Sequence, residues 1–281
     1  MPELPEVETV RRGLQQRTAG FTIERLAIHR ARAIAAPRQD PRGFQAGLQG
    51  RRVETWSRRG KYLIAQLDQG HWGVHLRMTG QFLWLEAERS LAHPPCRHTR
   101  VQIWNTSGQE LRFIDTRSFA EMWWVPPEHP IASVITGLQR LGPEPFDPDF
   151  SATYLQQRLK GSCRPIKCAL LDQALVAGVG NIYADESLFA AGIAPQTLAG
   201  RLKTPQIERL RQCLVEVLEQ SIGAGGTTFS DFRDLTGTNG NYGGMAWVYR
   251  RVGQPCRRCG TEIRREKLSG RSSHWCPSCQ S

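Results

Sequence analysis

The sequence predicts an α+β fold in two parts: an antiparallel β-sandwich or barrel first, then a helical domain that ends in a metal-stapled β-hairpin. Three observations carry this. Apolar residues alternate with period two from Phe21 to about Val125, and beyond residue 150 the period changes to 3.6. The last 26 residues contain a C-x2-C-x16-C-x2-C array formed by Cys256, Cys259, Cys276 and Cys279. At 281 residues, the chain is about twice the usual domain length, so two domains or one domain with an appendage are expected.

A helix is predicted near Pro5, because Leu4, Val7, Val10 and Leu14 share one face and proline is tolerated in a first turn, where its missing donor has no partner to lose. Glu6 and Glu8 favour that turn through the macrodipole. Strands follow around Ile23 to Ile28, Tyr62 to Leu67, Trp72 to Met78, Val101 to Trp104 and Leu111 to Ile114. Asp68-Gln69-Gly70 and Asn105-Thr106-Ser107-Gly108 are the turns. Six of the seventeen prolines fall between Pro126 and Pro148, marking a connection over 131–150 between a first domain at 1–130 and a helical domain at 151–245. There, Ile207, Leu210, Leu214, Val217, Leu218 and Ile222 form one helical face, with Thr204 as the expected N-cap and Pro205 at the first helical position.

Charge and cysteine usage narrow the function. Lys and Arg number 37 against 26 Asp and Glu, a net charge of +11, which favours a polyanionic partner. In a reducing compartment, four cysteines at the terminal spacing (246–281) hold one tetrahedral zinc ion rather than two disulfides. Eight basic residues against Glu262 and Glu266 between Arg250 and Ser281 make that hairpin a phosphate-binding surface. Cys96, Cys163, Cys168 and Cys213 are expected to be structural. The first residues carry Glu3, Glu6 and Glu8 where a secretory signal is basic and then apolar, and no run of eighteen apolar residues occurs. A soluble, intracellular protein without membrane contact is expected. If Met1 is removed, Pro2 becomes a free secondary amine beside Glu3; an amino-terminal amine of pKa roughly 7.7–8 is partly neutral and nucleophilic at neutral pH.

Met1-Pro-Glu-Leu-Pro-Glu-Val-Glu-Thr9, Arg59-Gly-Lys-Tyr62, His75-Leu-Arg-Met-Thr-Gly80, Gly178-Val-Gly-Asn-Ile-Tyr-Ala184 and the four-cysteine array resemble, in order and over the whole chain, formamidopyrimidine-DNA glycosylase. The resemblance implies an amino-terminal β-sandwich flanked by helices, a helix-two-turn-helix domain and a zinc finger, with damaged double-stranded DNA in the cleft between the domains. It implies a bifunctional glycosylase and AP lyase with a catalytic set of Pro2, Glu3, Lys61 and Arg271. Pro2 attacks the sugar C1′, Glu3 is general acid and base, Lys61 contacts a phosphate beside the lesion, and Glu6 supports the helix start. His75, Met78, Arg117, Phe119, Lys167 and Asn181 are the implied DNA-binding set. Met78, Arg117 and Phe119 fill the gap left by an extruded base, Arg117 reading the orphaned pyrimidine. Met78 and Phe119 are expected on strands. Asn181 is expected to cap a helix whose free amides face a phosphate, and His274 to be structural or exposed.

The family block Asp-Pro-Arg-Arg-Phe-Gly reads Asp115-Thr-Arg-Ser-Phe-Ala120 here, and Ser230 stands where similar members have Lys in the segment that closes over extruded 8-oxoguanine. Gly178-Val-Gly-Asn181 does not read as a dinucleotide site, since Tyr183 occupies the third glycine's place. The expected reaction is removal of oxidised purines, with no redox cofactor or catalytic metal, by a monomer in the bacterial cytoplasm, associated with the nucleoid. Two alternatives remain. One is an endonuclease VIII-like preference for oxidised pyrimidines, disfavoured by Leu4-Pro5, since those enzymes usually have Gly at the position of Leu4. The other is a non-catalytic zinc-finger DNA binder, disfavoured by the intact Pro2-Glu3 pair.

Overall fold

The structure is a computed structural model, and it describes residues 1–227, 235, 237 and 240–281. The chain divides into two compact units, Met1–Gln139 with Gly225–Asn241, and Arg140–Ala224 with Tyr242–Ser281.

The first unit opens with α1 (Leu4–Thr18), which buries Leu4, Val7, Val10 and Leu14 as the periodicity requires. Then come β1 (Arg25–Ile28), β2 (Ile34–Ala36), α2 (Pro41–Leu48), β3 (Val53–Arg59), β4 (Tyr62–Leu67), β5 (His71–His75), β6 (Gly80–Leu85), α3 (Ala87–Ala92), β7 (Thr99–Trp104), β8 (Glu110–Asp115), β9 (Glu121–Val125) and α4 (Ile131–Val134). They form two sheets, in the orders β1-β7-β8-β6 and β2-β9-β5-β4-β3, and this resolves sandwich from barrel. Every pairing is antiparallel except the edge strand β2, which runs parallel to β9. Side chains of both sheets and α1 share one core. An edge-to-face aromatic chain crosses from one sheet to the other, from Trp56 to Trp72 (5.3 Å), Phe82 (5.9 Å) and Phe113 (4.9 Å) between ring centroids. Each such pair adds roughly 0.5–1.5 kcal/mol beyond burial. Leu235 joins this core and its carbonyl accepts from Trp84 N–H at 2.9 Å, which ties the 225–241 segment to the first unit.

The strand expected from Trp72 to Met78 stops at His75, because Arg77 adopts φ +51°, in the left-handed region that ends a strand. Met78 therefore sits on a turn, and Phe119, which follows Ser118 at φ +55°, sits on a loop; neither is on a strand, and they are exposed at 37% and 43%. The strands β3, β6 and β9 carry no clean alternation and are legible only from their partners.

The second unit contains α5 (Ala152–Leu159), α6 (Ile166–Leu170), α7 (Asn181–Ala191), α8 (Thr204–Gly223), α9 (Tyr242–Met245) and the hairpin β10 (Arg264–Leu268) with β11 (Arg271–Trp275). In α8 the cap lies one residue before the expected Thr204. Lys203 is the N-cap, its N–H donating to Gln206 Oε1 at 3.0 Å, while the Thr204 hydroxyl accepts from Gln156. Phe189 of α7 packs with Val248, Ile263, Cys256 and Cys276, so the finger shares a core with the helices. Cys96 and Cys163 are exposed, Cys168 and Cys213 half-buried, and all four are free; none has the burial a structural core role requires. No helix among the described residues is long and apolar enough to cross a membrane.

Candidate active site and nucleic-acid interface

In the first unit, the site is built on the start of α1. Pro2 is buried and Glu3 is the helix N-cap. Glu6 grips both ends of the surroundings: one carboxylate oxygen accepts from Glu3 N–H at 2.8 Å, the other from Thr227 N–H at 2.7 Å. Gly226 has φ +79°, and a Cβ there would meet the Glu6 side chain at 3.1 Å, so this close approach needs glycine. The carboxylate thus sets where residues 2 and 3 sit relative to the base of the 225–241 segment. Ser230 lies outside the described residues.

Lys61 occupies a two-residue turn between β3 and β4, with Gly60 at φ +56°. The turn is braced by Arg58, which donates to Gly60 O at 3.0 Å and pairs with Glu8 of α1 at 3.2 Å. Burial acts on the Glu8 carboxyl to raise its pKa, but the hydrogen bonds from Arg11 and Arg12 and the nearby guanidinium charges win and hold it below the ordinary value. Lys61 is 7% exposed, further inside than a solvated strand lysine.

His75, at the end of β5, is buried, edge-on to Tyr62 at 4.6 Å, and its Nδ1 accepts from Arg77 N–H at 3.0 Å. Burial first, then the charges of Arg77 and Lys61, depress its pKa to about 3. The ring is neutral at pH 7, carries its proton on Nε2, and acts as a hydrogen-bond donor without charge.

Met78 and Phe119 share the rim of a depression of about 450 Å³, lined also by Met1, Arg32, Arg77 and Ser118. Asp115 shapes the second loop: its carboxylate accepts from Thr79 Oγ1 at 2.5 Å, Arg117 N–H at 3.2 Å and Ala120 N–H at 2.9 Å. Arg117 then lies over the Phe119 ring at 4.9 Å. Thus Asp115 organises the loop through the backbone N–H groups of Arg117 and Ala120.

In the second unit, Asn181 is the first residue of α7, not its cap. Gly180 is the N-cap, and Asn181 Nδ2 instead donates to Ser272 O at 3.0 Å. Lys167 is fully buried, pairing with Asp185 Oδ1 at 2.7 Å and donating to Ser272 O at 2.6 Å. His274 is structural, its N–H and Nδ1 lying 2.9 and 3.1 Å from Asp185 Oδ2. Arg271, next to Ser272, is exposed. Asp185 and Glu186 were not among the expected site residues. Glu186 accepts from the N–H groups of Trp247, Val248 and Tyr249 at 2.8, 3.0 and 2.8 Å, and burial holds its pKa up against those bonds. The available signal was two adjacent carboxylates in a largely apolar helix, since buried charges are kept only with partners.

The four finger sulfurs lie within 4.8 Å of one another, Cys259 to Cys276 at 3.5 Å and Cys256 to Cys279 at 4.0 Å. A tetrahedral Zn–S distance of about 2.3 Å implies sulfurs roughly 3.8 Å apart, so the set fits one zinc ion. Burial and then the neighbouring sulfurs push the Cys279 thiol up to about 12, so four thiolates here require a cation to balance them.

A two-sheet sandwich headed by Met1-Pro2-Glu3 and a helical unit that carries a four-thiol finger place the protein, with its family matches, among the DNA glycosylases. Three family models match it: the formamidopyrimidine-DNA glycosylase N-terminal domain over residues 1–122, the formamidopyrimidine-DNA glycosylase H2TH domain over 141–233, and the zinc finger found in FPG and IleRS over 253–281. The chain belongs to the formamidopyrimidine-DNA glycosylase family. It is similar to the formamidopyrimidine-DNA glycosylase of Parasynechococcus marenigrum (strain WH8102), 68% identical with each chain covered in full. It is 61% identical to that of a Synechococcus strain, covering 100% of this chain and 99% of the relative. Among solved structures, a complex of a Lactococcus lactis FPG variant with Fapy-dG-containing DNA matches with a TM-score of 0.90 at 33% identity, covering both chains fully. A complex of Lactococcus lactis Fpg with abasic-site DNA matches with a TM-score of 0.90 at 33% identity, covering 99% of each chain.

Proposed function

We propose that the chain is a bifunctional DNA glycosylase and AP lyase that removes oxidised purines from double-stranded DNA, as a monomer in the cytoplasm of a bacterium. The observation that carries the reading is the Pro2-Glu3 pair at the start of α1, its backbone held by the Glu6 carboxylate. Removal of Met1 converts the Pro2 nitrogen from an amide into a secondary amine. That amine attacks C1′ of the damaged nucleotide, the glycosidic bond breaks towards the base, and the base leaves with a proton. The C1′–O4′ bond then opens, O4′ taking up a proton, and the iminium so formed draws electrons from C2′, so that loss of a C2′ proton expels the 3′ phosphate and a second elimination expels the 5′ phosphate. Glu3 exchanges protons at the sugar, and Glu6 is a positioning residue.

Lys61 and Arg271 hold phosphates, and neutral His75 offers Nε2–H to another. Met78 and Phe119 enter the stack where the base has left, while Arg117 pairs with its former partner. Zinc held by Cys256, Cys259, Cys276 and Cys279 supplies folding energy to the finger and no chemical step. Borohydride trapping tests this: protein lacking Met1 should form a covalent adduct with DNA carrying one formamidopyrimidine, and Pro2→Gly should lose most of it. Full base excision by protein shown by mass to retain Met1 would overturn the assignment of Pro2.

A further inference from the structure

Lys167 matches a DNA-contacting position by resemblance, yet its ammonium is fully buried against Asp185, which is itself 1% exposed. An ion pair out of water is costly unless its geometry is good, and in some proteins such pairs fix a specific arrangement. What this one holds is the finger strand. Lys167 Nζ and Asn181 Nδ2 both donate to the Ser272 carbonyl, and Asp185 accepts from the backbone and ring of His274. The next residue of α6, Cys168, lies 3.3 Å from the Ser269 hydroxyl. Ser269 and Gly270 form the hairpin turn, at φ +46° and +81°, with Leu268 paired to Arg271. Consecutive residues of α6 therefore hold the chain at 269 and at 272, either side of Arg271, while α7 holds it at 272 and 274.

We infer that the Lys167–Asp185 pair is a positioning device for Arg271: it fixes the register of the finger hairpin on α6 and α7, so that the guanidinium meets a phosphate without having to be ordered on binding. This rests on the reading of Arg271 as a phosphate contact. Lys167 is thereby a positioning residue, not a DNA ligand. Prepaid order of this kind raises affinity without adding a contact.

A double-mutant cycle on the zinc-loaded enzyme tests it, reading affinity for abasic-analogue duplex across a salt titration. Arg271→Ala should weaken binding about tenfold and lower the salt slope by about one. Asp185→Asn should reproduce most of both effects with its zinc content intact, and the double variant should be no weaker than Arg271→Ala alone. Lys167→Met with Asp185→Leu removes both charges at similar volume; it should recover thermal stability but not the lost slope, and it carries the test if Asp185→Asn fails to fold. Additive losses in the cycle, or recovery of affinity and slope together with stability in the apolar pair, would overturn the inference. An Arg271→Ala variant with wild-type affinity and slope would overturn the reading of Arg271 itself, and the inference with it.

Discussion

Lowering the pH from 7.5 to 5 should destabilise the first unit through His75. Burial, then Arg77 and Lys61, depress its folded pKa to about 3, whereas an unfolded histidine titrates near 6.5. The folded pKa lies below the unfolded one, so the unfolded chain takes up a proton that the folded chain refuses. Stability is unaffected above the unfolded pKa and falls as the pH drops from 6.5 towards 3. Each pH unit in that window costs about 1.4 kcal/mol, so at pH 5 His75 alone accounts for roughly 2 kcal/mol. His71, also lowered by burial, acts in the same direction and is untouched by the variant. Six of the eight tryptophans (Trp56, Trp72, Trp84, Trp104, Trp123 and Trp124) lie in the first unit, so urea unfolding followed by tryptophan fluorescence reports mainly on it. His75→Asn keeps an acceptor for Arg77 N–H but does not titrate. It should lower stability at pH 7.5 through lost packing on Tyr62, and should narrow the difference between pH 7.5 and 5 by about 2 kcal/mol. An identical pH dependence in the two proteins would refute the reasoning.

Three further outcomes are expected. Glu3→Gln should block base removal in single-turnover assays while leaving affinity for abasic-analogue DNA within a few-fold; retained excision would remove Glu3 from the chemistry. Zinc chelation, or Cys276→Ser, should abolish DNA binding while near-ultraviolet circular dichroism of the tryptophan-rich sandwich persists, because zinc supplies most of the folding energy of so small a hairpin; binding that survives complete zinc loss would exclude the finger from the interface. With Ser230 in place of lysine, formamidopyrimidine and abasic substrates should be processed faster than 8-oxoguanine. Equal or faster excision of 8-oxoguanine opposite cytosine would show that the lysine's reach and charge are dispensable.

The arrangement of the site was legible in the sequence where it is local. The Pro2-Glu3 pair, the Glu6 support three residues on, the turn at Gly60-Lys61 and the cysteine spacing are all written within a few residues of one another. The structure brings Glu6 to Glu3, and the four sulfurs together, as local geometry requires. The arrangement was not legible where a side chain's placement depends on a distant partner. Met78 and Phe119 passed for strand residues because alternation continues past His75, and only the left-handed conformations at Arg77 and Ser118 show that the chain has turned. Asn181 looked like a cap because it opens a helix, yet its amide is used by Ser272, 91 residues away.

By itself, then, the sequence determined the helical faces, the period-two strands, the metal array and the amino-terminal pair, since each follows from side chains that share a face, a turn or a ligand sphere over short spans. The period-two pattern left sandwich and barrel open, and the two sheets decide between them as the family resemblance implied; tertiary structure alone decided that one edge strand runs parallel. It alone decided that residues 225–241 return to the first unit through Leu235 and the Thr227 N–H, and that a lysine of α6 is buried against an aspartate of α7. The physical reason is common to these cases. Where a charge or a backbone donor finds its partner is set by how whole elements pack to bury apolar surface, and no short window of sequence records that packing.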